Sequence, residues 1–343
     1  MLMNTKKNIL FCCLNWGLGH ASRCTPMIQN FSATHSVSIA SSGLAGELLQ
    51  KNFPELNYFK LPDYKIQYSE NYFSIGMVQQ IPRIISTIKK ERKLIAEIQL
   101  NEQFDVIISD SRLGCWLPKI KSIYLCHQLN IQGIPFGNLA SKLHHKAIRK
   151  FTEIWVPDTE GEKNLSGALS SSKNRKIKRI GWLSQFEGAA NIKGTSAGKT
   201  LAIISGPEPH RTSFEKQLLE IQKSLPITII GGTDATKNTK NYIAFADRDQ
   251  LWTEIQKADL IISRAGYTTL MDLVCLNKKA ILIPTPGQTE QEYLVTYNRH
   301  LKGIRFMPQN KLSAERIKEM KEITSEDAVA FLAPNWAKLL VEL

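Results

Sequence analysis

Short, continuous apolar runs alternate along this chain with stretches whose apolar residues recur at helical spacing. A strand that is apolar at every position is buried on both faces, which is typical of parallel sheets covered by helices. The first half has such runs at 8–14, 36–40, 106–109, 122–125 and 154–156, and the second half has them at 200–204, 228–230, 260–262 and 280–283. The pattern predicts an α/β protein with two doubly wound parallel sheets.

The segment between the two sets of runs, residues 185–199, is rich in glycine and small residues and shows little periodicity. Such a composition is typical of an interdomain linker. We therefore predict a first domain over 1–184 and a second over 200–324. Apolar residues at helical spacing in 325–343 predict a C-terminal helix, kinked at Pro334, whose role is packing. Two such domains create a cleft at the carboxyl ends of their strands, where ligands bind.

The net charge limits the partners of the chain. The 343 residues carry a formal charge of +13, and residues 1–184 hold most of the excess, with 24 Lys and Arg against 13 Asp and Glu. A basic face attracts nucleic acid, an anionic membrane or a phosphorylated acceptor, but it can equally be an ordinary solvated surface. No helix-turn-helix, zinc-finger or aromatic–basic RNA motif accompanies the charge, so we expect no nucleic-acid partner.

The cysteines and the hydropathy pattern favour a cytoplasmic protein. The six cysteines form no C-x-x-C pair and no Cys/His cluster at metal-ligand spacing, so we expect free thiols and no metal site. No stretch has the roughly 18 apolar residues needed to cross a bilayer, and we expect the run 9–14 to be a buried strand, not a leader. Amphipathic basic stretches at 82–95 and 142–150 predict either contact with the inner face of the cell membrane or a solvated helix face.

Two polar segments of the second domain each follow a predicted strand. In the first, small residues at a turn permit close backbone approach, and the next helix offers free N–H groups and a positive dipole end to a diphosphate. The candidate residues there are Ser263, Arg264, Gly266 and Thr268. A capped turn without a ligand has similar residues, so this motif alone does not decide. The second segment carries amide and carboxylate groups that suit sugar hydroxyls, at Gln288, Gln291 and Glu292.

In the first domain, the first run continues into a glycine turn, Gly17-Leu18-Gly19, and then into His20 at the start of a predicted helix. The histidine falls at the carboxyl edge of the sheet, facing the predicted cleft. An imidazole has a pKa near working pH, so His20 suits removal of a proton from an acceptor hydroxyl. The alternative is a histidine that only caps the turn.

The segment from Arg264 to Tyr293 resembles, without gaps, the donor site of family 28 glycosyltransferases, especially those of the peptidoglycan N-acetylglucosaminyltransferase type, and of related uncharacterised bacterial glycosyltransferases. The resemblance is strong over residues 259–295. It implies the GT-B architecture, in which two Rossmann-like domains face a cleft. It also implies that the C-terminal helix of 325–343 packs back on the first domain, as the last helix of such enzymes often does. It also implies a nucleotide-sugar co-substrate, of which a UDP-sugar is favoured, with no obligatory cofactor or metal, and a lipid or glycan acceptor.

The resemblance also implies roles for donor-site residues. Asp272 stands where the family uses a glutamate to hold the ribose hydroxyls, and Gln291 and Glu292 stand at a Gln-Gln pair that contacts the donor sugar. Both are departures, so the donor sugar need not be N-acetylglucosamine. Further positions are similar to the family's phosphate turn and base-reading segment: Ser205, Gly206 and Phe245. A simple tight turn is the alternative for Ser205 and Gly206.

On the acceptor side, related GT-B enzymes use a histidine in the first loop as base, and an aspartate after a later strand orients it; Asp110 matches that aspartate. A following segment resembles the family's His-Glu-Gln-Asn motif, with His127 in place of the glutamate and Gln128 beside it. We assign these two residues, with Gly17 and Gly19, to the acceptor site. A buried, hydrogen-bonded histidine is the alternative for His127.

The stereochemistry follows from an absence in the sequence. Retaining enzymes of this architecture commonly carry two glutamates eight positions apart in the second domain, and no such pair occurs after residue 185. Inversion by a single displacement is therefore favoured. A non-hydrolysing sugar-nucleotide 2-epimerase, which shares the architecture and needs no acceptor, is the alternative enzyme. A basic nucleic-acid-binding protein is the least favoured alternative.

Overall fold

The computed structural model describes residues 6–66, 73–132, 137–188, 198–231, 239–244, 246–322 and 330–343, with the backbone alone described at 73–78. Its contacts divide the chain into two compact units. Unit 1 comprises Met1–Gln67, Ser74–Gln185 and Leu332–Leu343, and unit 2 contains Phe186–Phe331. The chain therefore leaves unit 1, forms unit 2, and returns to unit 1 for its last residues.

Unit 1 is built on a seven-stranded sheet in which every described pair is parallel. Its strands are β1 (Asn8–Cys13), β2 (Ser36–Ser41), β3 (Asn57–Lys60), β4 (Val106–Asp110), β5 (Lys121–Leu125), β6 (Glu153–Val156) and β7 (Ile177–Arg179). Their order is β3-β2-β1-β4-β5-β6-β7. The connecting helices are α1 (Leu18–Ser32), α2 (Gly43–Asn52), α3 (Phe73–Glu102) and α4 (Gly137–Ile148). The central strands are buried on both faces, as their continuous apolar sequences predict.

Unit 2 has a six-stranded parallel sheet in the order β10-β9-β8-β11-β12-β13. Its strands are β8 (Lys199–Ile203), β9 (Ile227–Ile230), β10 (Tyr242–Ile243), β11 (Ala258–Arg264), β12 (Lys279–Ile283) and β13 (Ile304–Phe306). Its helices are α5 (His210–Gln222), α6 (Arg248–Lys257), α7 (Tyr267–Leu276), α8 (Thr289–Tyr297) and α9 (Ala314–Glu322). A core of aliphatic side chains around Phe214 lies between this sheet and its helices.

Each sheet has a topological switch point, where successive connections run in opposite directions. In unit 1 it lies between β1 and β4, and in unit 2 between β8 and β11. Ligands of doubly wound sheets bind at the carboxyl ends of the strands beside this point. The residues that follow β1 and β4, and those that follow β8 and β11, are therefore the first places to look for chemistry.

The predicted α/β fold with two parallel sheets is confirmed, and so are the nine predicted strands, with bounds shifted by up to two residues. The strands that periodicity did not predict, β3, β7, β10 and β13, are short and only partly buried, so they lack continuous apolar runs. All four are edge strands of the described sheets.

The C-terminal segment departs from its predicted helix. Among its described residues, 330–335 are not helical, and the helix is confined to α10 (Trp336–Val341), directly after Pro334. Trp336 packs edge-on against Phe31 of α1, and the Trp182 N–H donates to the Leu332 carbonyl. The segment thus packs within unit 1.

Of the predicted linker 185–199, residues 189–197 lie outside the described part of the chain. Its early residue Phe186 is buried and stacks on Trp252 within unit 2, with ring centroids 5.6 Å apart. All six cysteines are free and buried. None of the described helices combines the length and the hydropathy that crossing a bilayer requires.

Candidate functional site

His20 and Asp110 meet at the switch point of unit 1. Asp110 is the last residue of β4, and His20 lies in the first turn of α1, after Gly17 turns the chain with φ +90°. The His20 Nδ1 atom lies 2.6 Å from Asp110 Oδ2. A carboxylate only accepts, so the proton of the ring must be on Nδ1 for this contact to be favourable. The His20 Nε2 atom is then left with a lone pair, which is the state that a general base requires.

Arg23 completes this cluster, and it was not predicted from the sequence. Its Nε donates to Asp110 Oδ1 at 2.8 Å, and its Nη2 donates to the same oxygen and to Ser111 Oγ. Asp110 and Arg23 are both 1% exposed, so this is a buried ion pair. The one sequence signal that could have indicated Arg23 is its spacing, because it stands three positions after His20 and so lies on the same face of α1.

The charges in this cluster shift the titration of its members. Burial lowers the pKa of His20, and the Arg23 cation lowers it further, while Asp110 partly opposes them. Burial alone would raise the pKa of the Asp110 carboxyl, but Arg23 and His20 together hold it below its usual value. His20 is therefore a neutral imidazole beside an ionised carboxylate at neutral pH.

His127 joins the same guanidinium from the loop after β5. Its Nδ1 lies 2.8 Å from Arg23 Nη1, and because arginine only donates, this Nδ1 accepts. The ring proton of His127 is then on Nε2. Gln128 follows in the same loop, and Gly17 and Gly19 flank the start of α1. The structure thus joins His20, Asp110 and His127 through Arg23.

A second buried ion pair supports the carboxyl edge of this sheet. Arg112 Nε donates to Glu91 Oε1 at 2.8 Å, and both side chains are fully buried. Arg112 also donates to the carbonyl oxygens of Cys13 and Pro62, while Tyr64 donates to the other oxygen of Glu91. The network ties α3 to the loops that follow β1, β3 and β4.

Cys13, Cys24 and Asp110 place metal-ligand types of atom within 4.8 Å of one another. A hydrogen bond with Cys13, together with burial, raises the pKa of the Cys24 thiol, which disfavours the thiolate that binds metals. Asp110 is already neutralised by Arg23. The donor set does not fit a cation.

In unit 2, the decisive residue is Arg264, the last residue of β11. It is 1% exposed, and burial lowers its pKa to about 10. Its Nη2 donates to the His210 carbonyl at 2.8 Å and its Nη1 to the Pro284 carbonyl at 3.4 Å, and it lies over the Phe214 ring. Within the described part of the chain, its Nε has no hydrogen-bond partner and no carboxylate forms an ion pair with it. A buried cation without a counter-charge favours an anionic ligand.

The loops after β8 and β12 lie against Arg264. Gly206 has φ +104°, and a Cβ built there would lie 3.9 Å from Thr285 Oγ1 and 4.0 Å from Arg264 Cγ. The Thr285 hydroxyl is fully buried and has no hydrogen-bond partner among the described residues. Ser205 precedes Gly206, whereas Ser263 is a strand residue whose hydroxyl donates to the Ile203 carbonyl.

The helix α7 begins beside this cation. Gly266 is its N-cap and has no side chain to accept from the first-turn N–H groups. Thr268 lies in that first turn, and Asp272 is buried one turn further along. The backbone N–H groups of the first turn of α7 and its positive dipole end thus accompany Arg264 at the switch point.

The predicted sugar-contacting residues occur together at the start of α8. Gln288 is the N-cap, and the Gln291 side chain accepts from the Thr285 N–H at 2.7 Å and donates to Gln288 Oε1. Glu292 accepts from the Gly287 N–H at 3.2 Å. These contacts fix the loop after β12. Phe245 lies outside the described residues.

Solved structures share this architecture over nearly the whole chain. The glycosyltransferase SnogD from Streptomyces nogalater matches with a TM-score of 0.62 at 12% identity, over 93% of this chain and 91% of its own. A UDP-GlcNAc 2-epimerase from Neisseria meningitidis, bound to UDP-GlcNAc, matches with a TM-score of 0.62 at 11% identity, over 98% of both chains. Likeness at these identities shows the fold alone.

Unit 2 also matches a family model. Residues 214–331 fit the glycosyltransferase family 28 C-terminal domain. The chain has the GT-B fold and is similar to family 28 glycosyltransferases. The predicted resemblance and the predicted fold class are confirmed.

Two sequence relatives extend the family 28 likeness. An uncharacterized glycosyltransferase of Methanosarcina mazei is 21% identical over 93% of this chain and 94% of its own length. A UDP-N-acetylglucosamine–N-acetylmuramyl-(pentapeptide) pyrophosphoryl-undecaprenol N-acetylglucosamine transferase of Prochlorococcus marinus is 36% identical over 88 residues, which are 25% of this chain and 24% of that one. The family domain and these relatives support glycosyltransferase activity.

Proposed function

We propose that the chain transfers a sugar from a nucleotide-diphosphate donor to a lipid or glycan acceptor, with inversion at the anomeric carbon and with His20 as base. The observation that carries the proposal is Arg264, a buried cation with no acidic partner in the described part of the chain, at the switch point of the unit that matches the family 28 domain. A diphosphate supplies the counter-charge that this guanidinium lacks.

The donor lies, in this proposal, at the carboxyl edge of the unit 2 sheet. Arg264, the Thr285 hydroxyl and the amides at the start of α7 bind the diphosphate, while Ser205 and Gly206 approach it through their backbone. Asp272 holds the ribose, and Gln288, Gln291 and Glu292 contact the sugar. A UDP-sugar is favoured because the Prochlorococcus relative uses one.

The transfer step requires a base and a stabilised leaving group. The Nε2 atom of His20 takes the proton from the acceptor hydroxyl as its oxygen bonds to the anomeric carbon. The bond from that carbon to the diphosphate breaks, and its electron pair leaves with the nucleoside diphosphate. Arg264 and the α7 dipole stabilise the new negative charge, so the proposal requires no cofactor and no metal ion.

In this proposal the acceptor lies at the carboxyl edge of the unit 1 sheet, beside His20, and its site includes His127, Gln128, Gly17 and Gly19. We place the enzyme in the cytoplasm, at the inner face of the cell membrane, with no nucleic-acid partner. The support is an exposed aliphatic and basic face on α4, which carries Leu139 and Leu143.

The donor assignment is tested by thermal shift and calorimetry with UDP-, GDP- and dTDP-sugars. We expect a nucleotide sugar to raise the unfolding temperature of the wild type, because it binds only the folded state. Arg264→Gln should lose most of this effect. Arg316→Gln, a matched change of an exposed arginine on α9, should keep it.

Two outcomes contradict the proposal. If the wild type and Arg264→Gln bind the donor with equal affinity, Arg264 does not bind its diphosphate. Epimerisation of the nucleotide sugar in the absence of any acceptor makes the chain a sugar-nucleotide 2-epimerase instead.

A further inference from the structure

Arg23 contacts all three of the titratable groups His20, Asp110 and His127 at the unit 1 switch point. Its Nη1 lies 2.8 Å from His127 Nδ1, its Nη2 lies 2.9 Å from His20 Nδ1, and its Nε lies 2.8 Å from Asp110 Oδ1. The guanidinium is nearly fully buried, so water does not screen these interactions.

The planar fork gives the two histidines opposite hydrogen-bonding character. At His20, the 2.6 Å contact with Asp110 requires a proton on Nδ1, so Nε2 is an acceptor. The neighbouring Nη2 cannot bond this protonated nitrogen, and its charge opposes a second proton on the ring. At His127, Nδ1 accepts from Arg23, so Nε2–H is a donor. At His20 the carboxylate makes the shorter of the two contacts to Nδ1 and so sets the tautomer, whereas at His127 the arginine, which only donates, sets it.

We propose that Arg23 is a positioning residue for the transfer reaction, which holds His20 as a neutral base with a bare Nε2 and fixes the orientation of His127 through its Nδ1 atom. The inference rests on the proposed function.

The charges of Arg23 and Asp110 together determine the pKa of His20, so the proposal predicts a specific pH dependence. With Arg23 present, one cation neutralises Asp110 and the imidazole stays uncharged. Without it, the buried carboxylate attracts a proton to His20, because an imidazolium is then the remaining counter-charge. Loss of Arg23 must therefore raise the pKa of His20, so its base form appears only at higher pH.

The first experiment compares Arg23→Met with the wild type by NMR titration of histidine-labelled protein, with no substrate present. We expect the His20 resonance of Arg23→Met to titrate at higher pH. Its kcat/KM should fall by about 10²-fold at neutral pH, the usual contribution of a general base, and recover in alkaline buffer. Arg175→Met, a change of an exposed arginine in the same unit, should alter neither.

The second variant, Arg23→Lys, keeps the charge but replaces the fork with a compact ammonium. We expect His20 to titrate near its wild-type pH, while the nitrogen chemical shifts of His127 show that its tautomer is no longer fixed and kcat falls. This variant keeps a cation beside Asp110, so it tests the proposal even if Arg23→Met does not fold.

An unchanged His20 titration in Arg23→Met, or a wild-type kcat with unchanged tautomers in Arg23→Lys, overturns the proposal. An equal loss of kcat/KM in Arg23→Met at all pH values also overturns it, because such a loss indicates that Arg23 has a merely structural role. Because the titrations need no substrate, they stand even if sugar transfer is not found. If Arg23→Met transfers sugar with the same pH profile as the wild type, the role of Arg23 is contradicted but the proposed function is not.

Discussion

The residues of the unit 1 site illustrate what a sequence shows about a site. His20 and Asp110 were predicted together because each follows a predicted strand and both match positions used in related enzymes. Their 2.6 Å contact places them as a dyad requires, while their catalytic roles stay predictions. Arg23 was missed because its meaning depends on Asp110, which is 87 positions away in the chain.

Asp110→Asn should destabilise unit 1, because the change leaves the Arg23 cation buried without its partner. Breaking a buried pair on one side costs about 3–5 kcal/mol. The check is urea unfolding of variant and wild type at neutral pH, with Asp105→Asn, which replaces an aspartate before β4, as the control. A difference between Asp110→Asn and the wild type below about 0.5 kcal/mol contradicts the buried pair.

The same pair sets a pH dependence. The pKa of Asp110 is lower in the folded chain than in the unfolded one, so its stabilisation is present above the unfolded pKa. It is lost as the pH falls through the folded pKa. Acid should therefore narrow the stability difference between the wild type and Asp110→Asn.

At the level of elements, the sequence predicted strands well where both faces are buried. The central strands β1, β4, β8 and β11 have continuous apolar sequences because helices cover both faces of the sheet. The edge strand β13 has an exposed arginine in the middle of three residues, Ile304–Phe306, so no periodicity marks it. Its position is set by pairing with β12, a long-range contact that a local pattern does not show.

The helix α4 carries a testable surface. Its side chains Leu139 and Leu143 are 57% and 60% exposed, one turn apart, with Lys142 and Lys146 nearby. Aliphatic side chains beside lysines are typical of helices that lie on anionic lipid. The double change Leu139→Ser and Leu143→Ser should therefore reduce sedimentation with phosphatidylglycerol vesicles.

The matched control is Val341→Ser, which removes an equally exposed aliphatic side chain from α10. Phosphatidylcholine vesicles should bind neither the wild type nor the variants, since they carry no net charge. If the wild type does not sediment with phosphatidylglycerol, or if the α4 variant sediments as well as the wild type, the proposed membrane contact is wrong.

At the scale of the whole molecule, the two units should differ in their dependence on the C-terminal segment. Deleting residues 332–343 removes the packing of Trp336 on Phe31 and the contacts of Glu342 with Lys121 and Lys178. Unit 1 should then unfold at a lower temperature, whereas unit 2 keeps its donor site. Differential scanning calorimetry with and without a nucleotide sugar tests this. Equal shifts of both transitions, or loss of donor binding, contradict it.

The return of residues 332–343 to unit 1 also affects synthesis. The ribosome makes the described strands and helices of unit 2 before it adds Trp336, which packs on Phe31 in α1. Unit 1 begins first but cannot acquire these contacts until residues 332–343 are made. The part of the chain that is second in sequence is therefore the first that can be finished.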